Sequence, residues 1–263
     1  MSSSGPGEGT SGLVRVGAAG TRSEAWLGRP SGGRWTPAAD LFGVGLTRAV
    51  AEVAAARGAA RAVAGALLFE SYVMRVVPPV LAGWFADEQA LACGSDDVVV
   101  EWSGGRVLGV AFAATAPRGG ADRPSGPDPL MGTNLGPAIE AVHDGTGVGR
   151  RVLRGSVAHA ASVAFLHLSW PRPDPAHELP RLRDVLDGLG VADLVHTESV
   201  AVGERRWLYA ERRSCCLAFR AADHRDRGVR FCATCPAVPE ARRRRSFEEA
   251  VAAFSRRHDP GPG

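Results

Sequence analysis

Arg212-Arg213-Ser214-Cys215-Cys216-Leu217-Ala218-Phe219-Arg220, followed after a fifteen-residue spacer by Cys232-Ala233-Thr234-Cys235, decides how this chain is read. Four of its five cysteines fall there, within twenty-one positions. A C-x-x-C turn sets two thiolates where both reach one metal, a spacing common to zinc and iron–sulfur sites. The adjacent pair is different, because neighbouring residues on a strand point to opposite faces. Cys215 and Cys216 share a centre only if the backbone turns beside them or if the centre is wide. One tetrahedral zinc draws four sulfurs to about 2.3 Å from one atom, whereas a two-iron cluster divides them between two metals. Spacing alone leaves structural zinc and an iron–sulfur centre as comparable alternatives, with a chance cluster of free thiols as the third.

Working outward, residues 195–202 and 205–211 alternate as two strands, the second of which delivers the chain to Cys215. Residues 148–168 form a long apolar-rich helix stopped by Pro171, Pro173 and Pro175, and residues 179–189 an amphipathic helix capped by Gly190. Residues 135–142 predict a short helix, and residues 113–134, rich in Gly, Pro and Ala, a long loop. Residues 96–102 and 106–112 read as a β-hairpin turning at Gly104-Gly105. From 37 to 90 the period is helical, with a break expected at Gly58 and an interruption at Pro78-Pro79. Residues 1–35 read as a disordered leader from which only Trp26, Leu27 and Trp35 dock. Beyond Cys235, Pro236 and Pro239 break structure, and residues 247–254 form a terminal helix. The fold class is α+β: a mostly helical body with a small antiparallel β component and a C-terminal cysteine-rich metal module. The expected organisation is a leader at 1–35, a body at 36–203, a cysteine module at 204–257 and a tail at 258–263.

At 263 residues the chain is long enough to bury a core without disulfides. Its 31 basic residues are all arginine, and the net charge of +3 calls for no nucleic-acid partner. No secretory signal is evident at the N-terminus, and no stretch reaches the roughly 18 apolar residues of a spanning helix, with residues 157–170 the nearest. No stable membrane insertion and a cytoplasmic location are expected. In that reducing setting clustered cysteines read as metal ligands or redox groups.

Residues 211–220 with the closing C-x-x-C resemble the C-terminal end of FhuF-like ferric-siderophore reductases. There a doubled cysteine follows an Arg-rich step and precedes an aromatic-containing segment. Leu153-Arg154-Gly155-Ser156-Val157-Ala158 is similar to a mid-chain stretch of that family, with Arg154 and Ser156 in place of its aromatic and its amide. The family's spacer is about ten residues; the excess here lies in residues 221–228, polar and loop-like, and lengthening a loop is cheap. The resemblance implies a [2Fe-2S] cluster held by Cys215, Cys216, Cys232 and Cys235. It also implies one-electron reduction of Fe(III) in a ferric siderophore, with release of Fe(II). No strand–GxGxxG–helix fingerprint for a nicotinamide or flavin is present, so the electron is expected from an external donor such as a ferredoxin. The alternative is a zinc-stabilised module that binds a small ligand or protein without redox activity.

Residues 204–245 carry twelve arginines against five acidic residues. Arg212, Arg213, Arg220 and Arg230 are expected near the cysteines, where cations favour a reduced cluster, and Arg242 to Arg245 farther off. His159 reads as a core or groove histidine, Cys93 as a lone small hydrophobe, and Trp102, Trp170 and Trp207 as core. His224 falls in the spacer as a weak substitute ligand.

Overall fold

The computed structural model describes residues 14–15, 25–28, 30, 34–85, 91–115, 128–226, 228 and 231–258. The expected leader, the 113–134 loop and the tail fall partly outside these residues, and Arg230 wholly so. In chain order the elements are β1 (Val14–Arg15), β2 (Ala25–Leu27), β3 (Trp35–Pro37), α1 (Ala38–Phe42), α2 (Leu46–Arg57), α3 (Arg61–Phe85), β4 (Val98–Ser103) and β5 (Arg106–Phe112). They continue as α4 (Asp128–Leu130), α5 (Gly136–Thr146), α6 (Arg150–Ser169), α7 (Leu179–Gly188), β6 (Val195–Val202), β7 (Arg205–Arg212), α8 (Ala222–Asp226) and α9 (Glu240–His258). The fold is α+β, as expected.

α3 is the axis of the molecule. Phe69, Tyr72, Val73, Val76, Val77, Val80 and Leu81 are fully buried along it, and it packs against α2, α5, α6 and strand β5. Residues 61–84 are long and apolar enough to span a membrane, more so than the 157–170 stretch singled out from the sequence. Yet 78% of the apolar window is buried inside the protein, which marks a core helix.

The expected interruption at Pro78-Pro79 does not occur, and α3 continues through both prolines to Phe85. Proline in a helix interior costs about 3 kcal/mol through a lost hydrogen bond and a ring clash. Burying a single Val or Leu side chain contributes about 1.5–3 kcal/mol, and Val76, Val77, Val80 and Leu81 flank the prolines with no exposed surface. Packing therefore outweighs the local preference.

Five strands form a sheet in the order β1-β2-β5-β4-β3. The β4–β5 hairpin closes on Gly104 and Gly105, at φ 58° and 73°. Two consecutive left-handed residues match the twist of a two-residue hairpin turn, a conformation glycine adopts without cost. β2 lies parallel to β5, with Trp26 opposite Ala111, so Trp26 and Leu27 enter the sheet from within the expected leader. Trp35 does the same through β3, antiparallel to β4.

Three boundaries differ from the sequence reading. Helical structure starts at Asp128, since α4 leads through a π-turn at Met131–Leu135 into α5. Asn134 inside that turn is buried, accepting from the Tyr72 hydroxyl at 2.7 Å and donating to the Cys93 carbonyl at 2.9 Å. α9 starts at Glu240 directly after Pro239 and runs to His258, well beyond 247–254. The spacer residues expected to be a loop contain α8, which is docked on the end of α2. Ala222 N–H donates to the Gly58 carbonyl at 3.2 Å, and Arg57 meets Asp223 at 2.6 Å.

β6 and β7 form a separate antiparallel hairpin over eight pairs, from Val195–Arg212 to Val202–Arg205. β7 packs on α6, and Leu208 and Ala210 join the same buried core as α3. On its other side α9 closes over the hairpin. Trp170, Trp207, Phe247 and Phe254 meet edge to face at 5.4–6.1 Å. Edge-to-face geometry sets the positive ring edge against a negative ring face.

Candidate metal centre

The hairpin carries the chain to the cysteines, and a sharp bend gathers them. Arg213 N–H extends the pairing past β7 by donating to the Leu194 carbonyl at 2.9 Å. Leu217, two residues after Cys215, has φ 64°, the only left-handed non-glycine among the described residues. That conformation costs a leucine roughly 1–2 kcal/mol and persists where the surroundings enforce it. Here it turns the backbone so that Leu217 N–H donates to Cys215 Sγ at 3.3 Å, while Ala218 N–H donates to Cys216. This is the bend an adjacent cysteine pair needs if both thiols are to serve one centre. On the other segment Cys235 N–H closes a turn onto the Cys232 carbonyl at 3.0 Å, and Cys232 Sγ lies 3.9 Å from Thr234 Oγ1.

The two segments meet at their sulfurs. Cys215 and Cys232 lie close enough to Cys216 to act on its thiol, and Cys235 close enough to interact electrostatically with Cys215 and Cys232. The neighbouring Cys215 and Cys232 thiols, with help from Arg212, push the Cys216 thiol down. The Cys216 thiol, with burial second, pushes Cys215 and Cys232 up. Cys216 and Cys235 are buried, and Cys215 and Cys232 half-buried. Cys93 is remote from this group, its buried thiol raised to about 11. Among the described residues, no group of three or more His, Cys, Asp and Glu side chains is arranged so that it could hold one metal ion as it stands.

Beneath the thiols lies a buried charge pair. Arg212, 3% exposed, reaches Glu70 on α3 with both terminal nitrogens, at 2.8 and 3.2 Å. Its Nε has no partner. Burial works against the Arg212 charge, but Glu70 and then Cys216 more than offset it. Burial pushes the Glu70 carboxyl up, against the pull of Arg212. The bidentate geometry identifies an ion pair in which the carboxylate is the more weakly held charge. Ser156 on α6 also reaches Glu70.

His159, one helical turn from Gly155 and Ser156, faces Arg212 and Cys216. Burial first, and then the Arg212 charge, depress its imidazole to about 3, so it is neutral at ordinary pH. The sequence reading made it a core or groove histidine. Its place beside the cysteines was missed, although its spacing from Ser156 on one helix face was the available signal.

Gly155 explains why the mid-chain stretch matters. A Cβ there would fall 1.5 Å from Ser214 Oγ and 2.6 Å from Ser214 Cβ. α6 and the residue preceding Cys215 are therefore in backbone-to-side-chain contact that no other amino acid permits. The remaining arginines divide. Arg213 is exposed, while Arg243 pairs with Glu211 at 2.8 Å and Arg244 with Glu198 at 2.5 Å, fastening α9 to the hairpin. Of the described arginines expected near the cysteines, Arg212 is the one whose charge acts on both Cys216 and Cys232. His224 sits in α8 with its Nε2 buried and unpartnered. Trp207 is core, as expected, and Trp102 donates its indole N–H to Glu52 at 2.7 Å.

The donor chemistry of this site fits an all-cysteine centre: four soft sulfurs, amide N–H groups directed at two of them, and one buried cation to offset thiolate charge. A comparison with known protein families finds no family model that matches the chain. A comparison with curated proteins finds no match either.

Proposed function

We propose that this chain is a cytoplasmic iron–sulfur oxidoreductase that reduces the Fe(III) of a ferric siderophore to Fe(II), with Cys215, Cys216, Cys232 and Cys235 holding a [2Fe-2S] cluster in the C-terminal segment. The observation that carries the reading is the convergence of the doubled cysteine and the C-x-x-C, with the Leu217 bend and its amides turned toward the sulfurs. When bound, such a cluster takes up and gives back one electron.

The chain's own residues set the conditions for that exchange. Leu217 and Ala218 amides stabilise negative charge on Cys215 and Cys216, and Arg212 adds a fixed cation behind Cys216 and Cys232. Hydrogen bonds and cations of this kind favour the more negative, reduced state. Glu70 holds Arg212 in place, and the Gly155–Ser214 contact holds the approach to Cys215. An external one-electron donor of ferredoxin type supplies the electron, and Fe(II), held less tightly by hard oxygen ligands, leaves the chelate.

Anaerobic purification with iron, sulfide and zinc analysis tests this, followed by electron paramagnetic resonance after reduction. Iron and sulfide in equal amounts with a rhombic signal are expected. A colourless protein holding zinc after anaerobic reconstitution would replace this reading with a zinc-stabilised binding module.

A further inference from the structure

A concavity lined by residues that follow the doubled cysteine bears on which chelate the protein takes. Among the described residues, Phe219, Arg220, Arg225 and Gly228 line an open cleft of about 460 Å³, within the usual range for small-molecule sites, about 300–1,000 Å³. Its aromatic lining residue, Phe219, packs on a ring from the other cysteine segment. Phe219 follows Cys216 by three residues, Phe231 immediately precedes Cys232, and the two rings meet at 5.4 Å. The aromatic pair therefore bridges the two cysteine segments.

The cleft is also cationic. The Arg220 guanidinium stands 5.6 Å from the Phe219 ring centre. Arg225 uses one nitrogen on the Arg220 carbonyl at 3.0 Å, and both arginines are exposed. Asp223, on the same short helix as Arg225, is turned to Arg57 at 2.6 Å.

We infer that this cleft binds an anionic aromatic chelate of catecholate type, its ring against Phe219 and its negative charge on Arg220 and Arg225. A ferric tris-catecholate offers what these walls select: flat aromatic faces and a net negative charge. A ferric trihydroxamate is neutral and offers neither. The inference rests on the reductase reading for its purpose, but binding itself requires no electron transfer.

Gallium tris-catecholate, which is not reduced under these conditions, is the probe, with neutral gallium tris-acetohydroxamate as the comparison. Calorimetric titration of the full chain should show the catecholate binding more tightly, with the preference shrinking as salt rises. Arg220→Gln with Arg225→Gln should weaken catecholate binding about ten-fold or more, charge-assisted contacts being the strong ones. Arg220→Lys with Arg225→Lys should restore part of it, which shows that lost charge and not misfolding caused the loss. Equal affinity for the two chelates, or unchanged catecholate affinity in the glutamine variant, overturns the inference. Gallium catecholate binding that persists in protein unable to assemble iron and sulfide supports the cleft and removes only the reductase reading.

Discussion

Replacing Gly155 by alanine tests how the cysteine segment is positioned. The new Cβ would meet Ser214 Oγ at 1.5 Å and Ser214 Cβ at 2.6 Å, with Ser214 Cα at 3.8 Å. Rotating the hydroxyl removes the first conflict but not the second. Bringing two carbons from 2.6 Å to contact distance near 3.5–4.0 Å moves the Ser214 backbone or α6 by roughly 1 Å. Overpacking of this size costs about 1–3 kcal/mol, against a gain of up to about 1 kcal/mol from the better helix former. G155A should therefore destabilise the metal-free protein by about 1–2 kcal/mol in urea denaturation. The partner variants separate this contact from a general loss of packing. Ser214→Ala leaves Cβ in place and should not rescue G155A. Ser214→Gly leaves only Cα, at an ordinary 3.8 Å, and should rescue it. Since Ser214 Oγ has no hydrogen-bond partner, the serine variants alone should cost little. The expected double-mutant coupling is about 1 kcal/mol or more for G155A with S214G and near zero with S214A. Additive behaviour in both pairs would refute the claim that Gly155 is required by Ser214.

Arg212→Gln, which strands Glu70 in a buried site, should cost about 3–5 kcal/mol, whereas the paired Arg212→Met/Glu70→Leu should cost far less; urea midpoints decide, and equal losses would count against a buried pair. In loaded protein, Glu70→Gln should raise the midpoint potential by leaving Arg212 uncompensated, and Arg212→Gln should lower it; shifts of the same sign in an optically monitored redox titration would contradict the electrostatic role of the pair. His159 is depressed from 6.5 to about 3, so between those values the unfolded chain binds the extra proton. Its contribution to stability is complete above pH 6.5 and falls away as pH drops toward the folded value, a slope that His159→Gln should flatten in metal-free protein followed by thermal denaturation. Arg243→Gln, which unfastens α9 from Glu211, should weaken the C-terminal helix without moving the potential, measured by hydrogen exchange and redox titration together.

The elements set by local chemistry were legible before the structure. The hairpin at Gly104-Gly105, the strands delivering Cys215 and the helix stopped by Pro171 follow from turn residues and periodicity, which act within a few positions. Elements decided by tertiary burial were not. The two prolines of α3 carry a strong local signal to stop, overridden by neighbours with no exposed surface. Trp26 joins the sheet through a parallel partner more than eighty residues away, a pairing no local pattern encodes. At the candidate site the four cysteines were evident from spacing, and Arg212 from its place beside them. Glu70 and His159 were not evident, because they come to the site from α3 and α6, and only the packing of α3 on α6 and of α6 on β7 brings them there.

The spacer illustrates the same distinction with a consequence for function. Read as sequence, residues 221–228 are a polar, loop-like insertion between the two cysteine pairs, cheap to accommodate. In the folded chain part of it is a helix pinned to the corner between α2 and α3 by the Gly58 carbonyl and by Arg57. Gly58 has no Cβ, and one placed there would strike Ala222 Cβ at 2.7 Å, so the corner is shaped to admit the spacer closely. The doubled cysteine is held on its N-terminal side by β7 and α6, and on its C-terminal side by α8. The entropy cost of bringing the C-x-x-C to it is that of the few residues after α8, and shorter loops close at lower cost. The extra length therefore does not loosen the thiol group: it carries the chain out to an anchor on the helical body, and Arg225 of that anchor lines the cleft with Phe219 and Arg220.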